Sequence, residues 1–168
     1  MYLKTVCCAA VVLCGWLLGW EGRRRLETRV KSIEMFRSVF LEMKSMVAHS
    51  GLTLEDMALE LSDRREQEPF LSKLRECLSE CPFPQAWKQA LCEMQIRLCL
   101  SDEDVLQLTD CASLLGKSDI EGELHALDLI GERLLRRWEE AHARLVSNGK
   151  IYTAIGASAG MILALLLI

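Results

Sequence analysis

The chain has 168 residues, 51% of them apolar and 26% charged, so the two kinds must be segregated along the sequence. A net charge of −4 lacks the broad basic excess of a nucleic-acid binder, which excludes that class of partner. The eight cysteines fit a cytoplasmic setting, and no C-x-x-C pair occurs among them.

From Val6 to Trp20 no residue is charged. A helix crosses hydrocarbon in about 20 residues at about 1.5 Å each, so this run is near the lower limit. It extends outward through Tyr2 and Leu3 with Lys4 snorkelling, and Trp16 and Trp20 supply interfacial anchors at its inner end. The competing reading, a cleaved signal peptide, requires a small-x-small site; instead the run passes through Trp20, Glu21 and Gly22 straight into Arg23, Arg24 and Arg25. Residues 1–21 are therefore expected to be a retained N-terminal transmembrane anchor.

Residues 22–149 are expected to form a cytoplasmic helical domain. Leu26, Val30, Ile33, Phe36, Phe40, Met43 and Val47 recur at intervals of three and four, which places one apolar stripe on a long first helix. With no proline before Pro69, this helix can continue out of the anchor with only Gly22 as a candidate hinge, and Gly51 is its expected stop. Thr53 with Asp56 reads as a capping box for a second helix carrying Leu54, Met57, Ala58 and Leu61. A third follows Pro69 and buries Phe70, Leu71, Leu74, Cys77 and Leu78. Pro82 and Pro84 force a break, after which Ala86, Trp87, Ala90, Leu91, Met94 and Leu98 share one side of a fourth helix.

Ser101 with Asp104 starts a fifth helix containing Val105, Leu108, Cys111, Ala112 and Leu115, and Gly116 stops it. Ser118 and Glu121 form what reads as a better capping box for the sixth helix, whose apolar face runs from Ile120 through Leu127, Ile130, Leu134 and Trp138 to Leu145. Ser147, Asn148 and Gly149 then predict a joint. Beyond it, from Ile151 to Ile168, nothing is charged and there is no polar face, so residues 150–168 are expected to be a C-terminal transmembrane anchor with Tyr152 at the interface. The expected fold is all-α: an antiparallel bundle of about six helices with short loops, flanked by two transmembrane helices, the first and sixth packing together as a stalk.

Orientation follows from Lys and Arg near the anchors, because basic flanks stay cytoplasmic. Arg23, Arg24, Arg25, Arg29 and Lys31 follow the first anchor, while Arg133, Arg136, Arg137, Arg144 and Lys150 precede the second. The central domain is thus expected in the cytoplasm and both termini on the opposite side. Arg23, Arg24, Arg25 and Lys150 form a membrane-proximal basic set able to grip anionic lipid, but a solvated membrane-proximal face is the better full explanation.

Candidate chemistry is sparse. His49, His125 and His142 have no partner motif such as H-E-x-x-H. The acidic turn of Asp102, Glu103 and Asp104 sits where a helix dipole favours negative charge anyway. Cys77 and Cys81 share a helix face but lack a second pair, so small buried hydrophobes are a better reading than metal ligands. Gly156, Ser158 and Gly160 match the G-x-S-x-G nucleophile elbow, yet that elbow needs a strand before it and Asp and His partners. The same residues read as G-x-x-x-G, which allows close helix packing in lipid, Ser158 adding a third small residue. No catalytic residue, metal or cofactor is expected, and an adapter or scaffold is what remains.

The arrangement resembles the stage III sporulation protein AB family: a short anchor, an Arg-rich start, a helical domain and a terminal anchor of leucines and isoleucines. The resemblance covers essentially the whole chain, and its most telling pieces are Leu115 to Asp119, the Ala141 to Leu145 stretch leading to Lys150, and the apolar end through Ile168. Leu52-Thr53-Leu54 stands where the family often has a proline, and Glu123 where it often has a glutamine. The resemblance implies a place in the channel-like complex joining mother cell and forespore, in the outer forespore membrane, and a likeness to the cytoplasmic domain of type II secretion system F proteins. It implies docking to the companion ATPase, stage III sporulation protein AA, and to other proteins of the same operon, and it leaves room for a homo-oligomer. The competing classes are a scaffold or sensor outside sporulation and an unrecognised membrane enzyme.

Overall fold

The computed structural model describes residues 2–167, with side chains described for 13–17, 19–49, 51–149, 151 and 158. Among the described residues there are six α-helices and no strand: α1 (Tyr2–Ser50), α2 (Leu54–Arg64), α3 (Pro69–Leu78), α4 (Phe83–Met94), α5 (Asp102–Leu114) and α6 (Ile120–Leu167). The chain divides into two units, one of Ser32–Arg137 and one of Met1–Lys31 with Trp138–Ile168.

The unit Ser32–Arg137 is a helical bundle in which α2 packs on α3, α3 on α4 and α4 on α5. Its centre is Trp87 of α4, fully buried. Around it stand Phe70 at 4.9 Å, Phe40 at 5.3 Å, Phe83 at 5.5 Å and Phe36 at 6.0 Å between ring centroids. Phe36 and Phe70 meet edge to face at 4.7 Å. Such aromatic pairs add about 0.5–1.5 kcal/mol each beyond the area they bury, so this cluster ties α1, α3 and α4 together. The polar ends are also met: Trp87 Nε1 donates to the Leu108 carbonyl of α5 at 3.1 Å, and buried Ser32 Oγ donates to the Leu98 carbonyl at 3.0 Å.

Within this unit α1 and α6 run antiparallel: a groove is lined by Arg37, Leu41 and Lys44 from one and by Leu135, Gly131 and Asp128 from the other, with Lys44 Nζ bonded to Asp128 Oδ1. Leu127 and Ile130 of α6 are buried there. Arg137 joins α6 to α5 through Gln107 Oε1 at 2.5 Å and Glu103 Oε1 at 2.8 Å.

The other unit consists of stretches of α1 and α6 that also touch. A Cβ on Gly149 would lie 3.7 Å from Arg23 Cγ and 3.5 Å from Leu145 Cδ1, ordinary contact distances. Trp138 stacks on His142 with centroids 5.0 Å apart. Among the described residues no helix is long and apolar enough to cross a membrane. The greater part of both terminal apolar runs lies outside the residues whose side chains are described.

Local structure departs from the sequence reading at two points, the run from Ser147 to Gly149 and the start of α6. α1 passes unbroken through Gly22, so the long first helix is continuous there. Ser147, Asn148 and Gly149 are no joint: α6 runs through them, Ser147 Oγ bonding back to the Ala143 carbonyl at 2.9 Å while Gly149 is buried. A hydroxyl satisfied by its own helix turn does not compete with the helix. Ser118 and Glu121 are no capping box; the cap of α6 is Asp119, whose Oδ1 accepts from the Gly122 N–H at 3.1 Å. The complete box lies at α5, where Ser101 and Asp104 exchange hydrogen bonds at 3.2 and 3.0 Å. At α2, Thr53 Oγ1 accepts from the Asp56 N–H at 3.2 Å and donates to Asp56 Oδ2 at 2.7 Å.

Candidate functional site

The turn between α5 and α6 explains why Ser118 does not cap. Gly116 adopts φ +77, a left-handed conformation open to glycine at no steric cost. With it the N–H groups of Gly116, Lys117 and Ser118 point to one place. Glu123 Oε1 occupies that place, accepting from the three at 2.6, 3.1 and 3.4 Å. Successive backbone N–H groups of this kind form a nest for an anion, here filled by the chain's own carboxylate. Glu123 is only 8% exposed. Its other oxygen, Oε2, is covered and has no hydrogen-bond partner among the described residues, an arrangement that costs about 1–3 kcal/mol.

Glu123 lines a cleft of about 520 Å³, inside the range of about 300–1,000 Å³ typical of ligand sites. The walls come from the α1–α2 turn, the start of α4 and the α5–α6 turn. Leu54, Met57, Phe83, Leu115 and Ile120 make them mostly apolar. Glu55 is the other charged lining residue, its Oε1 accepting from the Phe83 N–H at 3.4 Å, and no lysine or arginine lines the cleft among the described residues. Spacing puts Glu123 on the same face as Leu127, Ile130 and Leu134; sequence reading missed the site because periodicity does not show which turn N–H groups a carboxylate on that face meets. The signal that could have found it is Gly116 followed seven residues later by an acidic group.

The site residues expected from sequence lie elsewhere. Arg23, Arg24 and Arg25 are exposed on α1, Arg23 Nε bonding Glu27 Oε1 at 2.9 Å and Arg25 Nε approaching Glu21 Oε1 at 3.4 Å. The basic set is therefore partly neutralised by its own helix. Ser158 is exposed on α6, whereas the side chain of Lys150 and the positions of Gly156 and Gly160 on any helix face lie outside the described residues, as does the side chain of Tyr152.

The three histidines do not converge. His49 Nδ1 lies 2.8 Å from the Ser45 carbonyl, His125 is exposed on α6, and His142 stacks on Trp138. The acidic turn is used in structure: Asp102 Oδ1 accepts from Gln95 Nε2 at 2.7 Å, Glu103 pairs with Arg137, and buried Asp104 closes the α5 cap. No group of three or more His, Cys, Asp or Glu that could hold a metal occurs among the described residues. Cys77 and Cys111 are buried, and burial pushes both thiols above their ordinary pKa. Cys81, read with Cys77 as a buried hydrophobe, is only half-buried, and Cys92 is exposed on α4, where the apolar stripe faces the other way.

Among the described residues the fold is an all-helical bundle, and Glu123 in its turn-lined cleft is the most unusual polar arrangement in it. The sequence profile of the family described as Stage III sporulation protein AB matches residues 4–168, and the chain belongs to that family, with a role in sporulation. Neither a curated protein nor a solved structure matches the chain.

Proposed function

We propose that the chain is a membrane-tethered adapter of the sporulation channel complex, holding its helical domain on the cytoplasmic face of the outer forespore membrane and docking the companion ATPase, stage III sporulation protein AA. The family match over residues 4–168 is the observation that carries this reading. Two further features support it. The uncharged run 6–20 belongs to α1 and residues 151–167 of the other to α6, and the basic residues cluster on the inner side of each run. In this reading each run crosses the bilayer, the termini lie opposite the domain, and Gly156 and Gly160 let two membrane helices approach closely. The chain works by binding and has no enzymatic activity of its own.

The test is copurification of the full chain, in detergent, with the ATPase. A stable stoichiometric complex is the expected result. Reproducible absence of contact, with both proteins folded, overturns the docking assignment.

A further inference from the structure

We propose that the cleft beside Glu123 binds a basic side chain, arginine or lysine, presented next to an apolar residue by a segment of a partner protein. This deepens the adapter reading and rests on it. Glu123 Oε1 is engaged by three backbone N–H groups, while Oε2 is buried without a donor among the described residues. Glu55 contributes a second carboxylate to the lining, and no lysine or arginine balances the two among the described residues. The cleft is thus electrostatically set for a cation, and a charge-assisted hydrogen bond to Oε2 is the interaction it lacks.

Two features favour a side chain over a free ion. Calcium takes about six to eight oxygen ligands, and Glu123 offers one uncommitted oxygen. The walls of Leu54, Met57, Phe83 and Ile120 reward an apolar stem and an apolar neighbour, which a bare cation does not have. Because Oε2 is covered, the incoming donor displaces a lining side chain. Ile120, 60% exposed at the first turn of α6, is the least held of them.

The experiment is calorimetric titration of the full chain in detergent with two acetylated, amidated pentapeptides. One has arginine between two leucines; the other replaces the arginine with citrulline, its neutral isostere. The arginine peptide is expected to bind saturably and about tenfold more tightly than the citrulline peptide, the size of one charge-assisted contact. Glu123→Gln keeps an amide oxygen for the three N–H groups but removes the charge, so it should abolish that preference. Glu132→Gln, on the exposed face of α6, should leave it intact.

Equal binding of the two peptides, equal binding of the arginine peptide to the parent chain and Glu123→Gln, or no saturable binding of either peptide overturns the proposal. If Glu123→Gln fails to fold, Glu55→Gln decides: a weakened arginine preference supports the site and an unchanged one overturns it. Copurification with the ATPase that survives while the peptides fail to bind removes the cleft and leaves the adapter reading standing. Loss of copurification with peptide preference intact does the reverse.

Discussion

Trp87 of α4 and Leu108 of α5 are joined by an indole N–H to carbonyl hydrogen bond of 3.1 Å at the centre of an aromatic cluster. The one buried donor of a fully enclosed indole is thereby met by a neighbouring helix, so packing and hydrogen bonding fix the same α4–α5 register. Trp87→Phe removes the donor and part of the ring and should cost about 1–3 kcal/mol, and Trp87→Ala about 3–5 kcal/mol. Urea denaturation of the full chain in detergent, followed by circular dichroism, reads both. Equal midpoints for the parent and Trp87→Phe would show that the bond carries no stability.

Leu127 and Leu129 test which face of α6 is inside. Leu127 is 3% exposed and Leu129 38% exposed, two residues apart on one helix. Leu127→Asp buries an unpaired charge and should remove cooperative unfolding or lower stability by about 3 kcal/mol or more. Leu129→Asp should stay within about 1 kcal/mol of the parent. Equal losses in the two variants would mean that the face is misassigned.

Lys73 of α3 holds Glu93 of α4 at 2.8 Å and Glu76 at 2.9 Å. The hydrogen bond from Lys73, followed by that from Gln89, holds the Glu93 carboxyl below its ordinary pKa. A depressed carboxylate pKa contributes stability in full above the unfolded value of about 4.3 and loses it as pH falls through the folded value. The hydrogen bonds to Glu93 and then Glu76 raise the Lys73 pKa well above its ordinary range, so its contribution is full below about 10.4 and fades only as pH rises through the folded value. Glu93→Gln should therefore be less stable than the parent near neutrality, by a small margin that narrows as pH falls below about 4 and shrinks in high salt. Urea midpoints across that range check this, and a gap independent of pH would contradict it.

The sequence revealed most of the bundle because its helices are amphipathic: the stripe from Val30 to Val47 and the face of Ala86, Trp87, Ala90 and Leu91 are buried as spacing required. Gly51 and Gly116 end their helices at φ +57 and +77, as glycine in those places should. What spacing could not show is where polar groups find partners. Ser147 spends its hydroxyl on its own helix, so a stretch that reads as a joint continues as helix. Glu123 reaches back to a turn, so a carboxylate on the apolar side of α6 lines a cleft. The Glu123 contact depends on hydrogen bonds formed only after the α5–α6 turn is in place.

The central proposal is that the helical domain sits on the cytoplasmic side of a membrane, tethered by its two apolar ends. Cys92 is an exposed native thiol on α4, while Cys77 nearby in sequence is buried and serves as an internal negative. Intact and permeabilised cells producing the chain are treated with a membrane-impermeant maleimide, and the Cys92 peptide is read by mass. The account predicts no adduct on Cys92 in intact cells and a full adduct after permeabilisation; an adduct on Cys92 in intact cells would contradict it.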